Sequence, residues 1–362
     1  MTTFSVTLLP AGQGDSILLE YGGPGEERRV LIDGGPARCY TQVAARLAEV
    51  PAYRRRIDLL VLTHVDADHI EGVIKLVNDA GLAARIDEVW FNGHEQLPPV
   101  DELGAAQGEI LSALLSARGI PLNRAFAGGA VVRRQGHPLP RVELPGGLAL
   151  TVLGPDRGTL QALRTVWEKE CRRAGILPGS TRDALELLAG RDKLNPLDAY
   201  LGGLNPEALA AGPEVAADTS VTNASSIVLL AEYDGRSVLL AGDATPTVLA
   251  GGLERLLAER GRPVLDVDAV KLPHHGSRRN VTREVLDLLR SPAYLVSSDG
   301  SYFQHPDPEA IARVVVRGRP TSLLFNYRTE MSGLWADTDL GDRLGFSAGY
   351  PADPARGVTL QL

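Results

Sequence analysis

One stretch of ten residues, THVDADHIEG at 63–72, constrains this chain more than any other feature. It follows DLLVL at 58–62, a continuous apolar run of strand length. His64 and Asp66 stand at i and i+2 just past that strand, so in extended backbone both side chains point to one side. Asp68 and His69 follow at the mouth of a helix read over 73–78. Imidazoles and carboxylates crowded into one cavity repel or desolvate one another unless a cation unites them. The competing reading is a solvated acidic loop in which Asp68 caps the helix.

Other strand ends carry the same chemistry. Asp33 closes the strand-like RVLI and precedes two glycines, and Asp243 follows SVLLAG. His274 and His275 follow VDAVKLP, and Asp15 lies in a Gly-rich turn after the first strand. Small neighbours let the backbone approach a bound group closely.

The rest of the sequence bounds the context. With 362 residues, 44% apolar and 23% charged, the chain can bury a large core. The net charge of −8 argues against indiscriminate nucleic-acid binding, although not against a local basic patch. Two distant cysteines exclude a disulfide framework and point to a reducing compartment. The N-terminal residues have no basic leader, and no apolar run approaches the ~20 residues of a spanning helix. A soluble, cytoplasmic protein with no membrane contact is expected.

Strands are read at 4–9, 16–21, 29–32, 58–62, 86–91 and 148–153, with helices at 41–49 and 103–117. The pattern changes at 156–221, where helices at 160–173 and 182–188 precede a Pro/Gly/Ala-rich loop or mobile segment at 201–220. Strands resume at 226–233 and 237–240 across an Asp234-Gly235 turn, followed by a helix to 259 and a strand at 264–272. Helices at 282–290 and 308–316 and strands at 293–297, 322–327 and 358–362 complete the reading. Two βα-rich halves thus flank a helical insertion and share one polar edge.

The pieces AGQGDSILLEYG, VLIDGG, LTHVDADHIEG, NASSIVLLAEYDGRSVLLAGDAT, VKLPHHGSRRN and SYFQHP, in that order, make the chain resemble the metallo-β-lactamase superfamily. Within it the likeness is to the ComEC type, the hydrolase domain of the competence DNA-uptake channel, and its soluble relatives. The resemblance implies one αβ/βα four-layer sandwich over 1–362, with 156–221 as an insertion within it. It also implies two divalent metal ions, Mn2+ or Zn2+. His64 and Asp66 are then expected to hold one ion, and Asp68, His69 and His275 the other, with Asp243 bridging. Asp15 and Asp33 are expected to support them. In PHHG the second histidine takes the ligand place, leaving His274 to support it or to touch substrate.

This sequence departs from the superfamily pattern twice. The second ligand position of the first motif is Asp66, as in the ComEC type. The third histidine normally found before the bridging Asp is missing from TNASS at 222–226. Harder, oxygen-rich ligation leans toward Mn2+ over Zn2+. Apart from His305 in SYFQHP, His94 and His137 are the remaining histidines, and neither is expected to compensate.

The implied activity is phosphodiester hydrolysis of DNA or RNA by a metal-activated hydroxide. Asp68 and Asp243 are catalytic as well as ligating, and His305 in SYFQHP is expected to protonate the leaving group or hold a phosphate oxygen. Asn223, Ser226, His274, Ser277, Arg278 and Arg279 are expected substrate contacts. Alternatives are a small-molecule phosphodiesterase or esterase (lactonase) with the insertion as lid, and a metal-stabilised binding module controlled by a regulatory protein partner.

Overall fold

Apolar residues alternate along nearly every strand, and each strand therefore feeds two cores. Val30, Ile32, Leu59 and Val61 turn one way and Leu31 and Leu60 the other. The computed structural model describes residues 2–97, 106–174, 205–317 and 320–362. The first sheet runs Val358–Gln361, Thr3–Leu8, Ile17–Gly22, Arg28–Ile32, Leu59–Val61 and Val89–Trp90. The second runs Phe346–Gly349, Thr321–Phe325, Ala293–Val296, Ala269–Lys271, Arg236–Leu240, Val228–Tyr233, Ala149–Gly154 and Arg141–Glu143.

The two sheets face each other across a core of Phe4, Val6, Leu19, Trp90, Leu150, Leu229, Val238 and Leu295, among others. Helices Tyr40–Ala48, Ala67–Asn78, Ala106–Ala117 and Arg157–Ala174 cover the outer face of the first sheet. Helices Pro246–Arg260, Arg283–Asp287, Pro308–Arg317 and Thr338–Leu344 cover that of the second. The layers run helix, sheet, sheet, helix, the expected αβ/βα sandwich. Among the described residues no helix is long and apolar enough to cross a membrane.

Each sheet has an antiparallel half and a parallel half. Arg28–Ile32 pairs in parallel with Leu59–Val61, and Arg236–Leu240 in parallel with Ala269–Lys271, which pairs likewise with Ala293–Val296. Loops at the carboxyl ends of parallel strands gather at one edge, where open α/β sheets bind ligands. Here those loops begin at Asp33, Leu62, Ala241, Leu272 and Ser297.

Several expectations shift. The helix expected from 73 begins at Ala67, which places His69 in its first turn. Its N-cap is Asp66, in extended backbone and with no side-chain capping bond, so Asp68 does not cap. The segment read as loop at 201–220 contains the helix Pro206–Ala211, because Asn205 caps it and Pro206 pre-sets its first turn. Leu209 and Ala210 pack on the core beneath the second sheet. Arg283 Nη2 donates to the Ala210 and Gly212 carbonyls, 2.7 Å each. Leu160, Leu163 and Trp167 lie in the core beneath the first sheet, so the described start of the expected insertion belongs to the sandwich. The helix expected at 182–188 lies outside the described residues, as do 201–204 and the first residues of the one expected at 103–117. The strand read at 264–272 divides into Leu265–Asp266 and Ala269–Lys271, and the first of these pairs with Leu289–Arg290 where a helix was expected to continue.

The Ala67–Asn78 helix docks on the Asp33 loop through bare backbone. Gly34 N donates to His69 O at 2.9 Å and Gly72 N to Gly35 O at 2.8 Å. A Cβ on Gly72 would lie 1.9 Å from Gly34 O, and neither backbone can yield without moving the helix. Gly72→Ala is therefore expected to lower unfolding stability by on the order of 1–3 kcal/mol. Gly333→Ala, where a Cβ meets nothing within 4 Å, is expected to leave it unchanged or slightly raised. Urea unfolding of both variants beside wild type checks this.

Candidate metal centre

The Asp33 carboxylate is fully buried and orders the first loop. Its Oδ1 accepts from Thr63 N at 2.7 Å, and its Oδ2 accepts from Thr63 Oγ1 at 2.7 Å and His69 Nδ1 at 2.8 Å. A carboxylate can only accept, so the His69 proton sits on Nδ1 and Nε2 turns to the cavity. Thr63 gives its hydroxyl proton to Asp33, which leaves its lone pair for His64 Nδ1 at 3.0 Å. His275 Nδ1 donates to the Ser297 carbonyl at 2.8 Å. Three imidazoles are thus held by Nδ1, each presenting Nε2 to one space.

That space collects the expected residues. Asp243 Oδ2 lies 3.4 Å from His69 Nε2 and 3.3 Å from His275 Nε2. Asp66 Oδ2 is 3.5 Å from His64 Nε2, and Asp68 Oδ2 is 3.8 Å from His275 Nε2. The Nε2 atoms of His64, His69 and His275 and Asp243 Oδ1 are buried without a hydrogen-bond partner. Buried polar atoms are rarely orphaned, and lone pairs converging from several elements fit a divalent cation. Overlapping sets with ligand atoms within 4.8 Å of one another are His64, His69 and Asp243; Asp68, His69 and His275; Asp15, Asp243 and His275; and Asp15, Asp33 and His69. The donor set therefore fits a metal, and Asp243 is shared between the His64 and the His275 sides. Neither His94 nor His137 falls in any such group among the described residues.

The backbone is strained to achieve this. Asp33, His274, His275 and Gln304 all adopt positive φ, between 47° and 59°. Non-glycine residues in that region cluster where surrounding structure over-determines them.

The remaining predicted residues divide by contact. His274 Nδ1 meets Asn280 Oδ1 at 3.1 Å, and its Nε2 lies 3.9 Å from Asp243 Oδ2, further than that of His275. Asn223 Nδ2 donates to Asp218 Oδ2 at 2.7 Å, and Ser226 Oγ lies 3.4 Å from His64 Nδ1 and accepts from Asp243 N. These two expected substrate contacts are buried and brace the site. Ser277 Oγ is likewise buried, and accepts from Arg279 N. Arg278 pairs with Glu309 at 2.6 Å, and Arg279 donates to the carbonyls of Ala216 and Ala217. Both guanidinium groups are engaged with protein. His305 is buried, 3.7 Å from Asp307 through Nδ1. Burial, and then the positive charge of His274 and His275, pushes its ring down to about 3. It is neutral near pH 7.

Sequence reasoning missed three groups. Lys271 is wholly buried, with Nζ on Asp15 Oδ2 and 3.9 Å from Asp243 Oδ1. Its signal was a lysine inside the buried strand VDAVK. Asp218 accepts from Asn223 and Asn280 while Asn280 Nδ2 reaches the carbonyls of Asp243 and Ala244, so this network braces the Asp243 loop. Phe303 stands beside His305, and Tyr302 packs against Phe303.

A family model for the metallo-beta-lactamase superfamily matches residues 9–194, more than half of the chain. The chain belongs to this superfamily. It is 34% identical over 104 residues to Ribonuclease Z of Alkaliphilus oremlandii, covering 26% of this chain. It is 23% identical over 322 residues to ComE operon protein 3 of Bacillus subtilis, covering 84% of this chain. The matches span 30% of the length of each of these relatives. Among solved structures, human tRNase Z, short form, is similar at TM-score 0.42 and 10% identity over 98% of both chains. The metallo-beta-lactamase fold protein YhfI from Bacillus subtilis is similar at TM-score 0.41 and 10% identity over the whole of both.

Two measurements test the centre. Among protein groups alone, burial lowers His275, but the Asp243 and Asp15 carboxylates outweigh it and hold the ring up at about 9. Below that pH a metal must displace a proton from it. Affinity for Mn2+ or Zn2+ is therefore expected to rise with pH up to about 9, with net proton release near neutrality. Titration calorimetry in buffers of different ionisation enthalpy reads the protons released. Asp33→Asn keeps shape but weakens the hold on His69 Nδ1, and is expected to weaken metal binding by about 10- to 100-fold in a chelator competition.

Proposed function

We propose that the chain is a metal-dependent phosphodiesterase that cleaves nucleic acid, DNA or RNA. The observation that carries this is the set of four orphaned atoms, three imidazole Nε2 and Asp243 Oδ1, converging between two carboxylates, Asp66 and Asp68. The names of the relatives, Ribonuclease Z and ComE operon protein 3, support the choice of nucleic acid.

In this reading His64 and Asp66 hold one ion, Asp68, His69 and His275 hold a second, and Asp243 serves both. Such a pair supplies an acidified water at neutral pH and offsets charge on a phosphoryl group. The stretch TNASS at 222–226, where the superfamily pattern carries another histidine, has none, so the harder ligands of the first position favour Mn2+ over Zn2+. Lys271 pairs with Asp15, and its Nζ lies 3.9 Å from Asp243 Oδ1, so a buried positive charge stands beside both carboxylates.

Asp68 has the most open carboxylate of the His275 side and is placed to accept a proton from attacking water. His305 enters this reading as a neutral ring. It holds a phosphate oxygen by hydrogen bond, because burial disfavours the charged ring and a neutral ring has no extra proton to give a leaving alkoxide. Arg278 and Arg279 act by keeping the loop after His275 in place.

The test is incubation of the metal-stripped chain with single-stranded DNA, plasmid DNA and RNA after adding Mn2+, Zn2+ or Mg2+. Cleavage is expected with Mn2+ and is expected to fall by at least about 100-fold in His69→Ala and Asp243→Ala, the upper end of what disturbing a ligand's support costs. Wild type that binds two ions and cuts none of these polymers overturns the reading.

A further inference from the structure

Two aromatic rings stand in water at the lip of the centre. Phe303 is 57% exposed and Tyr302 37%, and few other large apolar residues are as open among the described residues. Their rings meet edge to face at 4.5 Å. On its inner side Phe303 lies 5.8 Å from the His305 ring, tilted by 31°, and 6.5 Å from the His274 ring. His274 in turn reaches Asp243 at 3.9 Å. The aromatic surface is therefore continuous with the wall of the candidate metal centre and open on its far side.

The loop beneath is firmly built. Asp299 N donates to Gly12 O at 2.9 Å, Ser301 N and Oγ donate to Asp299 Oδ1, and Arg38 Nη2 reaches Ser301 Oγ at 3.3 Å. Gln304 takes a positive φ of 55° between Phe303 and His305, so the backbone turns the two side chains onto the same site. Exposed aromatic rings on a braced loop beside a site mark a contact surface.

We infer that Phe303, backed by Tyr302, is a stacking subsite for an unpaired nucleobase of the substrate, next to the phosphodiester held at the centre. This rests on the phosphodiesterase reading and narrows it to nucleic acid with single-stranded character at the cut. Every base offers a π-face, so the subsite is sequence-tolerant, and a paired base cannot enter it without leaving its duplex. The engaged state of Arg278 and Arg279 is consistent with recognition by stacking more than by backbone charge at this lip.

The experiment compares a single-stranded oligodeoxynucleotide with an abasic sugar-phosphate oligomer of the same length, in Mn2+. Cleavage gives KM and kcat, and fluorescence anisotropy gives binding. Phe303→Ala and Phe303→Leu are expected to raise KM and Kd for the base-bearing oligomer by about 5- to 150-fold, equivalent to about 1–3 kcal/mol at 1.4 kcal/mol per tenfold. Phe303→Trp is expected to restore both, and the abasic oligomer is expected to be indifferent to all three. The Leu variant keeps apolar cover over His305 without a π-face, so a merely shielding role predicts normal behaviour for it. Equal losses on both oligomers, or none on the base-bearing one, overturn the subsite. Wild type that cuts neither oligomer removes single-stranded DNA from the phosphodiesterase reading, while its preference for bases in anisotropy still decides the subsite.

Discussion

The Asp33 carboxylate is the constraint on which the rest of the centre depends. It accepts from two atoms of Thr63 and from His69, and so joins the end of one parallel strand to its neighbour and to the first turn of the following helix. A charged group buried this deeply is tolerated because strong donors saturate it. The consequence passes outward through tautomers. His69 is fixed by Asp33 directly, and His64 through the hydroxyl of Thr63. The glycine contacts between the Asp33 loop and the helix make this joint possible, since any side chain there would hold the two apart.

The second half repeats the logic with different chemistry. Asp243, His274 and His275 follow adjacent parallel strands, and the Asp218, Asn223 and Asn280 network braces the loop between. Lys271 sets a positive charge under Asp15 and Asp243 where the first half uses only hydrogen bonds. The two halves thus bring imidazole from both sheets to one carboxylate.

Much of this was legible because the candidate metal ligands are local in sequence. THVDADHIEG, the Asp33 turn and PHHG each announce themselves by clustering polar residues after an apolar strand, and the structure brings their side chains together. The alternation of apolar residues gave the main strands for the same reason: it is a periodic property. What was not legible depends on partners far away. Whether Arg279 reaches a substrate or a carbonyl turns on where 205–218 lies, and that stretch of small residues reads as loop until the cap at Asn205 and the anchors from Arg279 and Arg283 are seen. Lys271 gains its meaning only from Asp15, 256 residues earlier. The short helix Glu330–Gly333 and the strand Phe346–Gly349 are too brief to carry a period.

That 256-residue separation also bears on how the protein is made. The N-terminal turn is joined to the C-terminal half by Lys271, by Ser297 Oγ on Gly14 O and by Asn326 on Leu9 O. Such contacts close very long loops, and topologies of this kind reach their transition state slowly. A nascent chain emerging N-terminus first holds His64, Asp66, Asp68 and His69 long before Asp243 and His275 exist. It can therefore offer a cation only an incomplete grip during synthesis. If the chain holds metal as proposed, tight capture is a late event that marks the finished sandwich, and a cation held at that stage would stabilise the folded state over every partly assembled one.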